Sequence, residues 1–240
     1  DTVFGYPGGQ VIDLYDALYA SSDRLTHVLC SHEQHACHAA DGYFRATGKV
    51  GTVIATSGPG ATNLVTGIAT AYLDSVPLIA ITGNVSRNLI GRDSFQEVDI
   101  TGVTLPVTKH NFFVSDPSKL AETIHRAFEI AMSGRPGPVL IDVPKDIQQM
   151  QIEYEPLGKA HKAVEKTVNE KQMAAAVEMI NESQRPYIYI GGGSLGADVS
   201  KEIMELAEKI DAPIGCTLMG LSAVSVDHPR YLGMEGMHGH

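Results

Sequence analysis

Three nearly apolar, β-branched runs constrain the fold of this chain more than any other feature. They are VGTVIA, PLIAIT and PVLIDV, at residues 50–55, 77–82 and 138–143. A strand that buries one face alternates apolar and polar residues, whereas a run that is apolar throughout is typical of a strand buried on both faces. Helix-compatible stretches separate the runs. Strands that alternate with helices predict a parallel sheet covered on both sides, which is an α/β fold.

Weaker signals predict the elements around these strands. Residues 28–30 are a further strand candidate, and residues 33–46 and 61–73 are compatible with helices. Asp116-Pro117 predicts another helix start, because Asp caps free amides and Pro suits the first helical position.

Two segments lack the period of either a helix or a strand. Residues 83–105 predict a long functional loop. Residues 147–168 are polar and charged and predict a linker. The expected organisation is therefore a first α/β domain at residues 1–146, the linker, and a second unit at residues 169–240.

The second unit has the signals of a partial Rossmann-like domain. Asn169 with Gln172 resembles a capping box at a helix start. The strand candidates PYIYI and PIGCT follow, with a Gly-rich turn and a helical stretch between them. These elements are too few for a complete doubly wound domain, so we expect the unit to be truncated.

Composition and charge exclude several classes of protein. The 240 residues include 43% hydrophobic and 19% charged residues, which is ordinary for a globular protein. The formal net charge of −10 disfavours nucleic acid as a partner. No apolar run is long enough to span a membrane. Three cysteines without a CxxC motif fit the reducing cytoplasm, although removal of a plastid transit peptide stays possible.

The segment HEQHACH concentrates ionisable side chains at a strand-to-helix junction. It contains Glu33 with His32, His35 and His38 around it. A zinc-protease pattern needs two histidines four residues apart, and His32 and His35 are three apart. We therefore predict no metal ligands here. A carboxylate that complements the helix dipole is the alternative role for an isolated Glu33.

Two glycine-rich turns follow strand candidates. TSGPG is not a nucleophile elbow, because GxSxG needs glycine two residues before Ser57 and this chain has alanine there. Its glycines indicate a backbone that passes close to a ligand or a partner. Gly191-x-Gly193-x-x-Gly196 suits a diphosphate at a helix N-terminus, but Asp211 precedes the next strand, so NAD binding is not indicated.

Together these motifs resemble one family, acetolactate synthase, also called acetohydroxyacid synthase. The similarity extends along nearly the whole chain. It rests on FGYPGG, HEQHACHAADGYFRATGK, TSGPGATNLVTGIA, DSVPLIAITGNV, IGRDSFQEVDITG, SGRPGPVLIDVPKD, IGGGS, TLMG and LGMEGMHG.

The resemblance implies three α/β domains. They are an N-terminal domain for the pyrimidine of thiamine diphosphate, a central flavin (FAD) domain, and a C-terminal domain for the diphosphate and Mg²⁺. The chain resembles the first and part of the second. It contains no Gly-Asp-Gly, the motif that begins the family's magnesium site. We expect the C-terminal domain to be absent and this fragment alone to be inactive.

The resemblance also assigns roles to individual residues. It implies that Glu33 bonds the pyrimidine ring of the cofactor and that Gln96 faces the active site, both as catalytic residues. Phe95 and Lys145 are implied to line the substrate channel. Other cofactor contacts implied for the thiamine side are Gly9, Pro59 and Asn63. Those implied for the flavin are Arg135, Gly191, Gly192, Gly193, Thr217, Leu218, Met237 and His238.

The resemblance implies an enzyme that decarboxylates pyruvate and joins the remaining two-carbon unit to a second 2-ketoacid. Pyruvate as acceptor gives 2-acetolactate and 2-ketobutyrate gives 2-aceto-2-hydroxybutyrate, in branched-chain amino-acid biosynthesis. A homodimer or tetramer is implied, with a possible separate regulatory subunit. Two alternatives are a related flavin and thiamine enzyme of the pyruvate oxidase type and a nonenzymatic nucleotide-binding fragment.

Overall fold

The computed structural model describes residues 1–154, 156–158, 168–237 and 239. The chain forms two compact units, Asp1–Val164 and Glu165–His240. Both are α/β units with parallel strands, so the predicted fold class is confirmed.

Six parallel strands form the sheet of the first unit, in the order β2-β1-β3-β4-β6-β5. The strands are β1 Thr2–Tyr6, β2 Thr26–Leu29, β3 Gly51–Ala55, β4 Leu78–Asn84, β5 His110–Phe113 and β6 Pro138–Pro144. The three predicted apolar runs are β3, β4 and β6, in the middle of the sheet. Every residue of β3 and β6 is buried, as the apolar pattern predicts. The sequence pattern did not reveal β1 or the edge strand β5.

Helices cover both faces of this sheet. They are α1 Ile12–Ala20, α2 Glu33–Thr47, α3 Pro59–Thr62, α4 Val65–Leu73, α5 Ile100–Thr104, α6 Leu120–Met132 and α7 Lys145–Gln148. Short 3₁₀ turns occur at Gly9–Val11, Arg87–Leu89, Leu105–Val107 and Pro117–Lys119. The prediction of one helix at residues 61–73 was wrong in detail. The Leu64 amide bonds the Ala61 oxygen, three residues back, and this tighter turn separates α3 from α4.

Side chains of successive β6 residues enter two different cores. Leu140 packs with α2 and α4 residues such as Ala36 and Ile68 on one face. Val139 and Ile141 pack against α6 on the other. All five side chains are fully buried. Each would contribute on the order of 1–3 kcal/mol from burial, the alanine least, which is why this sheet tolerates few polar residues.

The predicted long loop is confirmed over most of its length. After β4 ends at Asn84, residues 85–99 contain only one short 3₁₀ turn before α5 begins. The predicted helix start at Asp116 is also confirmed. Its carboxylate accepts a hydrogen bond from the Ser118 amide, 2.9 Å away, and a 3₁₀ turn leads into α6.

The beginning of the predicted linker packs on the first unit. Ile152, Tyr154 and Leu157 line an apolar cavity together with Ile124 and Phe128 of α6. Most of the remaining linker, residues 159–167, lies outside the described part of the chain.

The second unit contains a three-stranded parallel sheet in the order β7-β8-β9. Its elements are α8 Glu170–Glu182, β7 Ile188–Ile190, α9 Gly192–Ala197, α10 Ser200–Lys209, β8 Ile214–Cys216, a 3₁₀ turn at Leu218–Gly220 and β9 Tyr231–Met234. Asn169 caps α8 as predicted, since its side chain accepts hydrogen bonds from the Lys171 and Gln172 amides. No helix in the described ranges combines the length and apolarity needed to cross a membrane.

Candidate functional site

The candidate site lies where the strands of the first sheet end. In a parallel sheet all carboxyl ends meet at one edge, and ligands of open α/β sheets bind there. Glu33 follows β2 and the TSGPG turn follows β3. Gly9 follows β1 and Lys145 follows β6. Four separate sequence motifs therefore meet at one edge.

The Glu33 side chain is held by Asn63, which lies between α3 and α4. It is the first residue of α2 and is only 8% exposed. The Asn63 side-chain amide donates to its Oε2 atom at 2.9 Å. A Cβ on Gly60 would lie 3.2 Å from its Oε1 atom. Glycine therefore lets the turn pass close to Oε1. Among the described residues Oε1 has no hydrogen-bond partner, so it is the carboxylate oxygen that can bond a ligand.

The TSGPG turn is packed tightly around its glycines. Gly58 has φ 58°, in the left-handed region that favours glycine. A Cβ there would also lie 2.7 Å from the backbone oxygen of Gln96. The turn therefore brings Gln96 to the same edge as Glu33. Ser57 Oγ is buried without a hydrogen-bond partner in the described residues, so a polar group is available in this turn.

Lys145 and Gly9 are neighbours, as a shared site requires. The Lys145 ammonium donates to the Gly9 oxygen at 3.1 Å and lies 2.6 Å from Asp13 Oδ2. The Gln10 amide in turn donates to Thr56 Oγ1 at 3.1 Å. The turn after β1 is thus connected both to Lys145 and to the TSGPG turn.

The carboxyl ends of β4 and β6 are joined by a buried acid that sequence reasoning missed. Asp142 accepts hydrogen bonds from Thr82 Oγ1 at 2.7 Å and from Asn84 Nδ2 at 2.6 Å. Burial raises the pKa of Asp142 to about 6, and the negative charge of Asp99 acts in the same direction. The carboxyl therefore titrates just below neutral pH.

Two other side chains near the site are shaped by burial. Tyr15 bonds the Ile54 oxygen, and burial raises the pKa of its hydroxyl, with Cys30 and Glu33 adding to the effect. Cys37 is fully buried, and burial raises the pKa of its thiol to about 12. A thiol in that state is not a nucleophile.

Phe95 and Pro59 lie at the surface of the same region. Phe95 is 84% exposed and Pro59 is exposed at the start of α3. Arg135 lies elsewhere in the first unit, before β6 and thus at the amino edge of the sheet. Its guanidinium donates to Ser75 Oγ at 2.7 Å and to the Leu73 oxygen at 3.0 Å. Its implied flavin contact stays a prediction.

The second unit brings two of its predicted residues together at its own carboxyl edge. Gly191 follows β7, and a Cβ on it would lie 3.7 Å from Thr217 Oγ1 after β8. A Cβ on Gly193 would meet nothing within 4 Å. Leu218 and Met237 are strongly exposed. Gly192 packs against Met219, and His238 lies outside the described residues.

The histidines around Glu33 do not form a metal cluster. His32 uses Nδ1 to accept the Gln34 amide at 3.1 Å and so caps α2. Among the residues that the structure describes, no three His, Cys, Asp or Glu side chains are arranged to hold a metal ion.

The features of the first edge fit the aminopyrimidine of thiamine diphosphate. A buried carboxylate with one oxygen beside a missing Cβ suits a ring nitrogen that carries a proton. The Ser57 hydroxyl in the neighbouring turn is buried without a partner among the described residues, so it is a further polar group that a ligand could bond.

Comparison with known proteins gives the same class. Residues 1–103 match the family model of the thiamine pyrophosphate enzyme N-terminal TPP binding domain. Residues 173–240 match the model of the thiamine pyrophosphate enzyme central domain. The chain therefore belongs to the thiamine pyrophosphate enzymes.

Within that class, the chain is similar to curated acetolactate synthases. The chain is 50% identical to "Acetolactate synthase" of Arthrospira platensis, over 99% of this chain and 42% of the relative. It is 51% identical to "Probable acetolactate synthase large subunit" of Methanocaldococcus jannaschii, over 99% and 41%. It is 50% identical to "Acetolactate synthase isozyme 2 large subunit" of Escherichia coli, over 100% and 43%. The resemblance inferred from the motifs is confirmed, and the chain spans about two fifths of the length of these relatives.

Proposed function

We propose that the protein to which this chain belongs is a thiamine-diphosphate-dependent carboligase that forms 2-acetolactate from two molecules of pyruvate, with loss of carbon dioxide. The observation that carries the proposal is the buried Glu33 carboxylate, which Asn63 holds through Oε2 and whose Oε1 atom lies beside Gly60. The names of the relatives support the choice of acetolactate as product.

Each residue of the first edge has a part in this proposal. Thiamine diphosphate, when bound, supplies the carbon nucleophile for 2-ketoacid decarboxylation. Glu33 Oε1 holds a proton at a pyrimidine nitrogen, and the Asn63 bond fixes the carboxylate in the orientation that this requires. Gly60 lets the turn pass close to Oε1. Gln96 lies against the same turn and is proposed to act on the bound substrate.

Lys145 and Phe95 form the proposed substrate entrance. Lys145 carries a positive charge that attracts 2-ketoacid carboxylates, and Asp13 holds its ammonium group in place. Phe95 offers an exposed apolar ring at the same edge. Gly9 and Pro59 are proposed to lie on the cofactor side of this entrance.

The second unit is proposed to hold FAD in a structural role. The open space at Gly193 and the closeness of Gly191 to Thr217 support a nucleotide at this edge. The remaining proposed contacts are Arg135, Gly192, Leu218, Met237 and His238. Net carboligation moves no electrons, so no redox step is assigned to the flavin.

The metal, the quaternary structure and the pathway are further proposals. Mg²⁺ and the cofactor's diphosphate would be held by a further domain of the parent protein. That domain would come from a second subunit in a homodimer or tetramer, and a regulatory subunit is possible. 2-Ketobutyrate is the second proposed acceptor, and we propose a role in isoleucine and valine biosynthesis. The proposed location is the cytoplasm or a plastid.

The test is product analysis with the complete parent protein. It is incubated with pyruvate and Mg²⁺, with and without thiamine diphosphate, and acetolactate is measured after acid conversion to acetoin. Acetolactate that depends on thiamine diphosphate is the expected result. Hydrogen peroxide or a reduced electron acceptor in its place would indicate a pyruvate oxidase, and absence of pyruvate consumption would contradict the proposal.

A further inference from the structure

Residues 91–97, called here loop 91–97, carry Gln96 but have almost no buried contacts of their own. The residues from Leu89 to Asp93 and Phe95 are exposed, and Ser94 and Gln96 are half-buried. The chain on either side is anchored, since Val85 and Ile100 are buried. Packing therefore fixes the two ends and not the loop itself.

The backbone of loop 91–97 adopts conformations that need support. Asp93 has φ 52° and Gln96 has φ 59°, and neither is glycine. Side chains other than glycine make the left-handed region unfavourable, so such residues persist only where their surroundings hold them. Gly91 has φ 78°, where glycine adds no such strain.

One side chain supplies that support. The Glu97 carboxylate accepts hydrogen bonds from the Gly91 amide through Oε1 and from the Ser94 amide through Oε2, the second at 2.9 Å. The Glu97 amide donates back to the Ser94 oxygen at 2.9 Å. Charge-assisted bonds of this kind are about twice as strong as neutral ones. Glu97 thus closes the loop from Gly91 to its own backbone.

The closed loop ends directly at the candidate site. Gln96 precedes Glu97, and its backbone oxygen and Cα would lie 2.7 and 2.9 Å from a Cβ on Gly58. Gly58 belongs to the turn that also carries Gly60 against Glu33. The geometry of the loop therefore decides where Gln96 stands relative to that turn.

We propose that Glu97 is a positioning residue, whose carboxylate holds Gln96 in its left-handed conformation against the Gly58 turn. It acts through the loop backbone and does not touch the substrate. This inference rests on the proposed function, because Gln96 matters for turnover only if the carboligation site is the one described above.

The interaction has a defined pH dependence. Hydrogen bonds from the Gly91 and Ser94 amides lower the pKa of Glu97, so the carboxylate stays charged throughout the neutral range. A carboxyl with a lowered pKa stabilises its contacts above its ordinary value and loses them as the pH falls through the lowered value. The loop is therefore expected to stay closed at neutral pH.

The test uses three variants of the complete parent protein. Glu97→Ala removes both acceptors, and Glu97→Gln keeps one oxygen acceptor without the charge. Glu122→Ala is the matched control, because Glu122 is an exposed glutamate on α6 whose partner is Lys119 at 3.0 Å. Hydrogen exchange of a peptide that spans residues 89–96, thiamine diphosphate affinity and acetolactate kcat/KM are measured for each variant.

Glu97→Ala is expected to speed exchange in this peptide and to lower kcat/KM about ten- to a hundredfold, the effect of a displacement of about 1 Å at a reacting centre. Glu97→Gln is expected to restore part of both losses. Cofactor affinity and thermal stability stay as in Glu122→Ala, because Glu33 and Asn63 are untouched. A merely structural role would instead lower activity, affinity and stability together.

Two results would overturn the inference. One is unchanged exchange in Glu97→Ala, and the other is faster exchange with kcat/KM as in the control. Wild-type protein that forms no acetolactate would refute the proposed function instead. The exchange data alone would then decide whether Glu97 holds the loop.

Discussion

The two glycine-rich turns of this chain each follow a strand at the carboxyl edge of a parallel sheet, yet their surroundings differ. In the first unit, a Cβ on Gly58 would lie 2.7 Å from the Gln96 oxygen, and one on Gly60 would lie 2.7 Å from Thr56 Cγ2. In the second unit, a Cβ on Gly193 would meet nothing within 4 Å. The first turn needs glycine at these two positions in order to fold, whereas the second has room for a side chain at Gly193.

This difference separates two reasons for a glycine motif. In the TSGPG turn the protein itself occupies the space beside the glycines, since Gln96 lies against Gly58 and Thr56 and Glu33 lie against Gly60. At Gly193 the space is open, so the protein gives no reason for glycine there. A ligand that approaches the backbone would give one. The first site is therefore organised by the chain, and the second is explained only together with a bound group.

Gly58→Ala is expected to give the largest loss of stability. The substitution places a methyl group against the Gln96 backbone and forces alanine to adopt φ 58°. Overpacking and left-handed strain together predict a decrease of about 2–4 kcal/mol in the free energy of unfolding of the first unit. Urea denaturation measures it.

Gly42→Ala is the matched control, because a Cβ on Gly42 in α2 would meet nothing within 4 Å. Alanine in a helix favours the folded state, so this variant should be as stable as wild type or slightly more. Equal stability of Gly58→Ala and Gly42→Ala would show that the TSGPG turn does not need glycine at position 58.

Asp142→Asn is expected to change how the stability of the first unit depends on pH. Because the folded pKa is raised to about 6, the contribution of Asp142 is complete below its ordinary pKa of 3.8 and is lost as the pH rises through about 6. Between pH 5 and pH 7.5 the wild type should lose about 1.4 kcal/mol of stability from this group, the equivalent of one pKa unit, and the variant should not show this loss.

The measurement for Asp142 is the urea midpoint at both pH values. Thr82 can rotate its hydroxyl to suit an amide, so the variant is expected to fold. Asp116→Asn is a useful control, because hydrogen bonds lower the pKa of Asp116 and its contribution is lost as the pH falls. A wild-type and Asp142→Asn pair with parallel pH profiles would show that Asp142 does not titrate as described.

Gly193→Ala is expected to have the smallest effect on stability. It should raise the stability of the protein alone but weaken ligand binding. Replacing glycine by alanine within α9 should stabilise the second unit by up to about 1 kcal/mol. The new methyl group would occupy the open space and weaken FAD binding, which a fluorescence titration of the parent protein measures.

Gly196→Ala separates these two effects of Gly193. A Cβ on Gly196 is equally free, but it lies near the end of α9, away from the strand-to-helix turn. FAD affinity that falls equally in both variants, or in neither, would contradict a nucleotide site at Gly193.

The sequence predicts local features well and contacts between residues far apart in the chain poorly. The strands β3, β4 and β6 were predictable because each is an unbroken apolar run. The short strand β1 and the partly polar edge strand β5 carry no such signal. Glu33 was identified from a motif, but its bond to Asn63 joins residues 30 positions apart and follows from the fold alone.

The same limit applies to the buried acid and to the loop. Asp142 lies inside a run that resembles an ordinary core strand, and its partner Thr82 is 60 residues away. Glu97 stands in a recognisable motif, yet its role depends on backbone angles that the sequence pattern does not show. Both residues were therefore missed.

The proposed role of the Glu33 carboxylate is to activate the cofactor. The exchange rate of the cofactor's C2 proton measures that activation. The complete parent protein is loaded with thiamine diphosphate, and the rate at which the cofactor's C2 proton exchanges with deuterium is measured by quenched-flow NMR. Glu33→Gln is compared with wild type and with Glu129→Gln, a partly exposed glutamate on α6. We expect the C2 proton to exchange roughly 10² to 10⁴ times more slowly in Glu33→Gln, with the cofactor still bound, and at the wild-type rate in Glu129→Gln. Exchange in Glu33→Gln within about tenfold of wild type, below the usual range of acid–base catalysis, would contradict it.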